Sequence, residues 1–139
     1  MRTLYHYTSI ERWERIEADG RLNTTESNLS GRTAHAGPDV VWLTTDPDCA
    51  HGHGLLNTLD RTDKTRVQIA VELPNRDVHK WKEWATRRGI DPDWMRGLIS
   101  AAGGGAGTWR VTEKPIPSTR WARVVDRGTG ETLWLPAAA

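Results

Sequence analysis

Two residues far apart in the chain have the type and the neighbours of ligand-binding groups. His6 lies between two tyrosines, where a short apolar run ends and a helical segment begins. Glu113 lies in an extended run in which Trp109 and Val111 occupy alternate positions, so the three side chains would share one face. A carboxylate on an apolar face indicates a site. Glu72, by contrast, falls on the polar face of an alternating strand and needs no such explanation.

Other groups of reactive side chains match no established site pattern. Cys49, His51 and His53, with His35 nearby in sequence, have the ligand types of a zinc site, but their spacing fits no standard tetrahedral pattern. The run "GGGAG" lacks the Lys and Ser or Thr that complete a phosphate-binding loop, and it precedes a strand where that loop needs a helix. We therefore expect no metal and interpret the glycines as a hinge or a substrate-side loop.

Tryptophan and basic residues alternate along the segment from residue 78 to residue 96. Rings beside positive charges suit a nucleic acid, whose bases stack and whose phosphates carry the charge. Trp81 and Trp84 nevertheless share a helical stripe with Val78, which favours a core position for both rings. The basic residues that could still contact a nucleic acid or an acidic partner are Lys82, Arg87, Arg88 and Arg96.

The composition indicates one small domain without an overall basic field. The 139 residues suffice for one core, so we expect a single domain over residues 1–139. The 19 Lys and Arg nearly balance the 18 Asp and Glu, and a net charge of +1 does not draw the whole surface to nucleic acid. A single cysteine, no secretory leader and no apolar stretch of about 20 residues favour a cytoplasmic protein.

The candidate residues need strands and helices to position them. The run "LYHY" predicts a strand, and Thr8 is expected to form a capping box with Glu11 at the start of a helix that Gly20 ends. Residues 23–39 have no periodicity and are predicted to form a long loop. The run "VVWLTT" predicts a second strand, and regular alternation over residues 66–73 predicts a third, half-buried one.

The second half of the chain predicts helices followed by strands. Asp77 is expected to cap a helix with Trp81 and Trp84 inward, and Asp91 and Pro92 begin the next helix. The runs "TWRVTEK", "WARVV" and "ETLWL" predict strands, with a turn at "PIPST" and a tight turn at "RGTG". The predicted fold class is α+β, with five or six strands and two or three helices.

Four motifs follow one another in order: "HYT", "DGRL", "VWLTTDP" and "VTEKPIP". In this order they resemble the ADP-ribosyltransferase superfamily, particularly small bacterial or phage branches with DNA-modifying toxins and rifamycin-modifying enzymes. The resemblance implies a split β-sheet core with an NAD site formed by three positions on separate strands. His6 matches the first position, Trp42 the second, where a tyrosine is common, and Glu113 the third. Trp42 lacks the tyrosine hydroxyl, and Thr112 before the acid differs from arginine-modifying members, so the acceptor stays open.

Under this resemblance the chain would transfer ADP-ribose from NAD to an acceptor and release nicotinamide. Glu113 would stabilise the positive charge that develops on the ribose, and His6 would hold the ribose through a ring nitrogen. Trp42 would stack on the nicotinamide ring. The further expected cofactor-binding residues are Tyr7 and Thr8 near the nicotinamide, and Ser27, Asn28 and Arg32 near the adenosine and phosphates.

Several functions fit the same resemblance. The acceptor would be a nucleic acid, a protein or a small molecule, and the chain would act as a toxin or a phage-conflict factor, with an antitoxin or inhibitor as a further partner. An NAD glycohydrolase or an RNA 2′-phosphotransferase-like enzyme would keep the fold. A non-catalytic module on this fold would hold a partner through Trp42 and the long loop without turnover.

Overall fold

The computed structural model describes residues 1–24, 39–48, 64–101 and 105–137. Within these ranges the chain forms three α-helices, a seven-stranded sheet and a separate two-stranded ladder, and the strand pairs are antiparallel. The α+β class is as predicted. The strands outnumber the expected five or six because β2, β5 and β7 have two residues each, too few for a sequence pattern.

One helix follows the first strand, two more separate the fifth strand from the sixth, and the order of strands in the sheet does not follow the chain order. The strands are β1 (Arg2–Thr8), β2 (Arg21–Leu22), β3 (Val41–Thr44), β4 (Val67–Leu73), β5 (His79–Lys80), β6 (Trp109–Thr112), β7 (Ile116–Pro117), β8 (Trp121–Asp126) and β9 (Thr132–Trp134). The helices are α1 (Ile10–Asp19), α2 (Trp81–Arg87) and α3 (Pro92–Ala101). The large sheet has the order β5-β6-β3-β1-β4-β8-β9, and β2 pairs with β7.

The first strand passes directly into the first helix, as the sequence predicts. Ser9, and not Thr8, caps α1, because its hydroxyl oxygen accepts a hydrogen bond from the backbone N–H of Arg12 at 3.2 Å. Thr8 is still the last residue of β1 and pairs with Val67. The helix ends as predicted at Gly20, whose φ of 67° lies in the left-handed region that glycine adopts readily.

The strand β4 is buried on both faces, whereas the alternation predicted a half-buried strand. It lies between β1 and β8, and Glu72 is its one exposed residue. Gln68, on the predicted polar face, is buried and donates hydrogen bonds to the Tyr7 hydroxyl at 3.0 Å and to the Pro47 carbonyl. A buried amide is tolerated because its donors are paired.

The helix α2 begins later than predicted. Asp77 was expected to cap it, but residues 75–77 form a 3-10 turn and the Asp77 carboxylate pairs with Lys114 at 3.0 Å. His79 and Lys80 then pair with β6 before the helix starts at Trp81. The pairing of β5 with β6 therefore delays the start of the helix beyond the position that the local capping residue predicted.

Two apolar clusters cover opposite faces of the large sheet. The first cluster is built mainly from β1, β3, β4, β8 and α1, and the second from β3, β6, α2 and α3. Leu43 belongs to the first cluster, whereas Trp42 packs on the second, as expected because successive strand residues point to opposite faces. Helix α1 therefore covers one face and α2 with α3 the other. Within the described ranges, no helix is long and apolar enough to cross a membrane.

Candidate functional site

The strands β1 and β3 are aligned at one end and separate near His6. The ladder between them pairs Tyr5 with Thr44, whereas β1 pairs with β4 over its full seven residues. Beyond Tyr5, the ring of His6 takes over the contact, because its Nδ1 lies 2.8 Å from the carbonyl oxygen of Trp42. A side chain therefore joins the two strands where their aligned pairing has ended.

The surroundings of His6 keep its imidazole neutral and fix its tautomer. A carbonyl oxygen can only accept, so Nδ1 carries the proton and Nε2 keeps a lone pair. Burial lowers the pKa of His6, the bond to the Trp42 carbonyl opposes this, and the positive charge of Arg12 adds to the lowering. Nε2 has no hydrogen-bond partner in the described part of the chain. The half-buried ring therefore presents an acceptor to which no described residue donates a hydrogen bond.

The indole of Trp42 belongs to an aromatic group on the other face of the sheet. Its ring centroid lies 5.7 Å from that of Trp81 and 5.6 Å from that of Trp109. His6, in contrast, pairs with Ile69, whose side chain belongs to the first cluster. The side chain of His6 therefore leaves β1 on the opposite face of the sheet. His6 thus meets the backbone of Trp42, and the two side chains do not share a pocket.

Glu113 follows the last residue of β6 and turns toward α2. Its Oε1 forms an ion pair with a terminal nitrogen of Arg88 and accepts a hydrogen bond from Trp84 Nε1 at 3.4 Å. The carboxylate side chain is 31% exposed and the guanidinium side chain 47% exposed, so water reaches both groups. Glu113 is therefore a charged, partly exposed group that already has two partners.

The three family-matched residues lie on neighbouring strands but do not converge. The strands β6, β3 and β1 are adjacent in the sheet. Leu43 of β3 is aligned with Arg110 of β6, and the pairing of Tyr5 with Thr44 places it level with His6 of β1. Glu113 is two strands from His6 and three residues further along the sheet. A spacing of about 4.8 Å between strands and a rise of about 3.3 Å per residue separate their backbones by roughly 14 Å in a flat sheet.

Glu113 lines a cleft between β5, α2 and the end of β6. The other lining residues are His79, Trp84, Arg87 and Arg88, and the cleft volume is about 260 Å³. This is below the range of about 300–1,000 Å³ typical of small-molecule sites, so the cleft suits a group smaller than a whole dinucleotide. The sequence named both arginines, but it gave no signal for His79, because a two-residue strand has no recognisable pattern.

The remaining predicted cofactor residues fall into two groups. Tyr7 and Thr8 are buried in β1, and the Tyr7 hydroxyl donates to the carbonyl of Asp46 at 2.7 Å, so its side chain supports the sheet. Ser27, Asn28 and Arg32 lie outside the described residues, as do Cys49 and the three histidines considered with it. Among the described residues, no group of three or more His, Cys, Asp or Glu side chains could hold a metal ion.

Comparisons with protein-family models, curated proteins and solved structures found no match to this chain. The candidate site therefore rests on its own geometry. One part is the imidazole acceptor where β1 and β3 separate, and the other is the carboxylate held by α2 at the end of β6.

Proposed function

We propose that the chain is an NAD-dependent ADP-ribosyltransferase that transfers ADP-ribose to a macromolecular or small-molecule acceptor and releases nicotinamide. The observation that carries this proposal is the neutral His6, whose Nε2 is an acceptor with no partner among the described residues. Cleavage of the bond between nicotinamide and ribose develops positive charge on the sugar. A neutral acceptor can hold a ribose hydroxyl without adding a positive charge beside that sugar, which a protonated histidine could not do.

The sheet supports the finer fold in the proposal, the split β-sheet core of this superfamily. A split sheet must open between two neighbouring strands, and β1 and β3 share one aligned pair in their described residues. The superfamily's three site positions lie on separate strands, and here β1, β3 and β6 are adjacent. Both features are compatible with a ligand that enters between β1 and β3.

In the proposed reaction, the bond from ribose C1′ to the nicotinamide nitrogen breaks and its electron pair leaves with nicotinamide. An acceptor nucleophile then bonds to C1′ and loses its proton. Glu113 would stabilise the cationic ribose, but a carboxylate neutralised by Arg88 does this poorly. The reaction therefore requires Glu113 to leave Arg88 and turn toward the sugar.

A binding module without turnover is the second candidate, and the state of Glu113 favours it. The carboxylate is paired with Arg88 and Trp84, and its backbone lies roughly 14 Å from that of His6 by the spacing of strands and residues. In this candidate His6 still binds a hydroxyl of the ligand, but no group stabilises a cationic sugar.

The test follows nicotinamide release from NAD by the purified protein, alone and with single-stranded DNA, RNA or cell lysate. We expect release by the wild type, and a loss of at least about a hundredfold in Glu113→Gln, the usual cost of removing one preorganised electrostatic contact. The Glu113→Gln protein should still bind NAD. Glu72→Gln makes the same chemical change at the exposed residue of β4 and should retain the wild-type rate.

His6→Asn separates the roles of the two ring nitrogens. Asparagine can still donate toward the Trp42 carbonyl, but its amide oxygen does not extend to the position that Nε2 occupies at the far side of the ring. We expect this variant to fold and to lose NAD binding and release together. Unchanged release in a folded His6→Asn protein would contradict the role of His6. Binding of NAD without release by the wild type would favour the binding module, and absence of both would reject the two candidates.

A further inference from the structure

The cleft beside α2 already holds an oxyanion, the carboxylate of Glu113. Trp84 is 2% exposed, so its ring is fixed by packing, and its N–H points out of the second cluster to the Glu113 oxygen. Arg88 approaches the same oxygen from the helix end. Two N–H donors, one from α2 and one from the residue that follows it, therefore converge on one point, which is the arrangement that binds carboxylate or phosphate oxygens.

The cleft carries more positive charge than Glu113 neutralises. Arg87 lies beside Arg88, and its terminal nitrogen lies 3.3 Å from His79 Nδ1. Because a guanidinium can only donate, this contact requires His79 to accept through Nδ1. The charged groups among the lining residues are two guanidinium groups and one carboxylate. One positive charge is left over, in a space of about 260 Å³ that has room for a phosphate group.

We propose that this cleft binds a phosphate group and that the phosphate displaces Glu113 from Arg88 and Trp84. The exchange is feasible because both partners of the ion pair are partly exposed, and exposed ion pairs are weak. A phosphate offers more charge and more acceptor oxygens than a carboxylate, and a guanidinium can bind two of them at once. The proposal concerns binding alone and does not rest on the proposed transferase activity.

The phosphate would come from a free nucleotide or from the backbone of a nucleic acid. The first source needs only the cleft, whereas the second would also use basic side chains along the outer side of α2, such as the exposed Lys82. The two sources differ in their dependence on salt, because a nucleic acid releases more counterions when it binds.

The test measures binding of a labelled single-stranded oligonucleotide to the full chain by fluorescence anisotropy, and its competition by inorganic pyrophosphate. We expect Arg88→Ala to weaken binding of both probes about tenfold, as befits loss of a charge-assisted contact. The slope of log affinity against log salt should fall by about one for the oligonucleotide. Arg15→Ala is the matched control, because Arg15 is an exposed arginine of α1, which covers the opposite face of the sheet.

Glu113→Gln distinguishes displacement of the carboxylate from simple attraction to positive charge. The glutamine no longer competes for Arg88, so both probes should bind several-fold more tightly. Equal affinities of wild type and Glu113→Gln would overturn the displacement, and equal weakening by Arg88→Ala and Arg15→Ala would overturn the site. Pyrophosphate that fails to compete would restrict the ligand to nucleic acid. These measurements contain no NAD, so their outcome is separate from that of the nicotinamide assay.

Discussion

The region around His6 and the region around Glu113 are held together in different ways. His6 belongs to β1, which is aligned with β4 over seven residues in the middle of the sheet. Glu113 lies one residue beyond β6, beside a two-residue edge strand and a helix anchored by buried tryptophans. Backbone hydrogen bonds fix the first region, and side-chain packing fixes the second. A residue held by a ladder keeps its place, whereas one at the end of a strand can change partners.

The electrostatic states of the two residues also differ. His6 is neutral, and one of its two nitrogens has no partner within residues 1–24, 39–48, 64–101 and 105–137. Glu113 is charged, and the same oxygen contacts both Arg88 and Trp84. His6 can therefore bind a ligand without a change in its contacts, whereas Glu113 can act on a ligand only after it has left Arg88.

Removal of a tryptophan from the second region should have the largest effect on stability. Trp81 is 1% exposed and packs against the rings of Trp42 and Trp109. Trp81→Ala should lower the free energy of unfolding by about 3–5 kcal/mol, because a large buried ring is lost and a cavity remains. Chemical denaturation of the wild type and the variant measures this difference in the free energy of unfolding.

Hydrogen exchange of the same Trp81→Ala variant tests the contrast between the regions. If packing alone holds the second region, amide protection should fall in α2 while β1 and β4 keep theirs. Equal loss of protection in both regions would show that the two clusters unfold as one unit, and the comparison would then fail.

A smaller effect is expected where the first region meets α1. Ser9→Ala removes the oxygen that accepts from the Arg12 N–H at 3.2 Å, and should cost about 1 kcal/mol. Ser100→Ala changes the same residue type at an exposed position of α3, and should leave the free energy of unfolding almost unchanged. Equal values for the two variants, measured by denaturation, would show that the cap contributes nothing.

A further effect is confined to acid and concerns Asp126 at the end of β8, beyond β4 from the first region. The hydrogen bonds from Arg66, helped by backbone N–H groups of Gly128 and Thr129, lower the pKa of Asp126 to about 2. Because the folded pKa lies below the unfolded value of 3.8, this stabilisation is present above about pH 4 and is lost as the pH falls toward 2. The stability difference between wild type and Asp126→Asn should therefore shrink over that interval. A constant difference would contradict this account.

The sequence predicted local features well where neighbouring residues supply the signal. The change from β1 to α1 follows from aromatic residues, a hydroxyl cap and a glycine stop within 20 residues. The start of α3 was also predicted, because Pro92 is preorganised for the first helical position and Asp91 Oδ1 accepts from the N–H of Asp93 at 2.9 Å. The same local logic placed the cap of α2 at Asp77, where a distant lysine takes the carboxylate instead.

The candidate residues themselves were chosen from the sequence, but their partners were not. His6 bonds to a carbonyl 36 positions away, and Glu113 to a guanidinium 25 positions away. Residue types and spacing cannot specify these contacts, because they depend on which strands become neighbours and in what register.

By itself, the sequence determined the α+β class, the junction of β1 and α1, and the start of α3. It also singled out His6 and Glu113 as candidate ligand-binding residues. These follow from preferences that act over a few residues along the chain. Only the tertiary structure decided that β1 and β3 separate at His6, that Nδ1 carries the proton and Nε2 the lone pair, and that Arg88 holds Glu113. The physical reason is that proton positions and ion pairs are set by groups brought close through folding, and those groups lie far apart in the sequence.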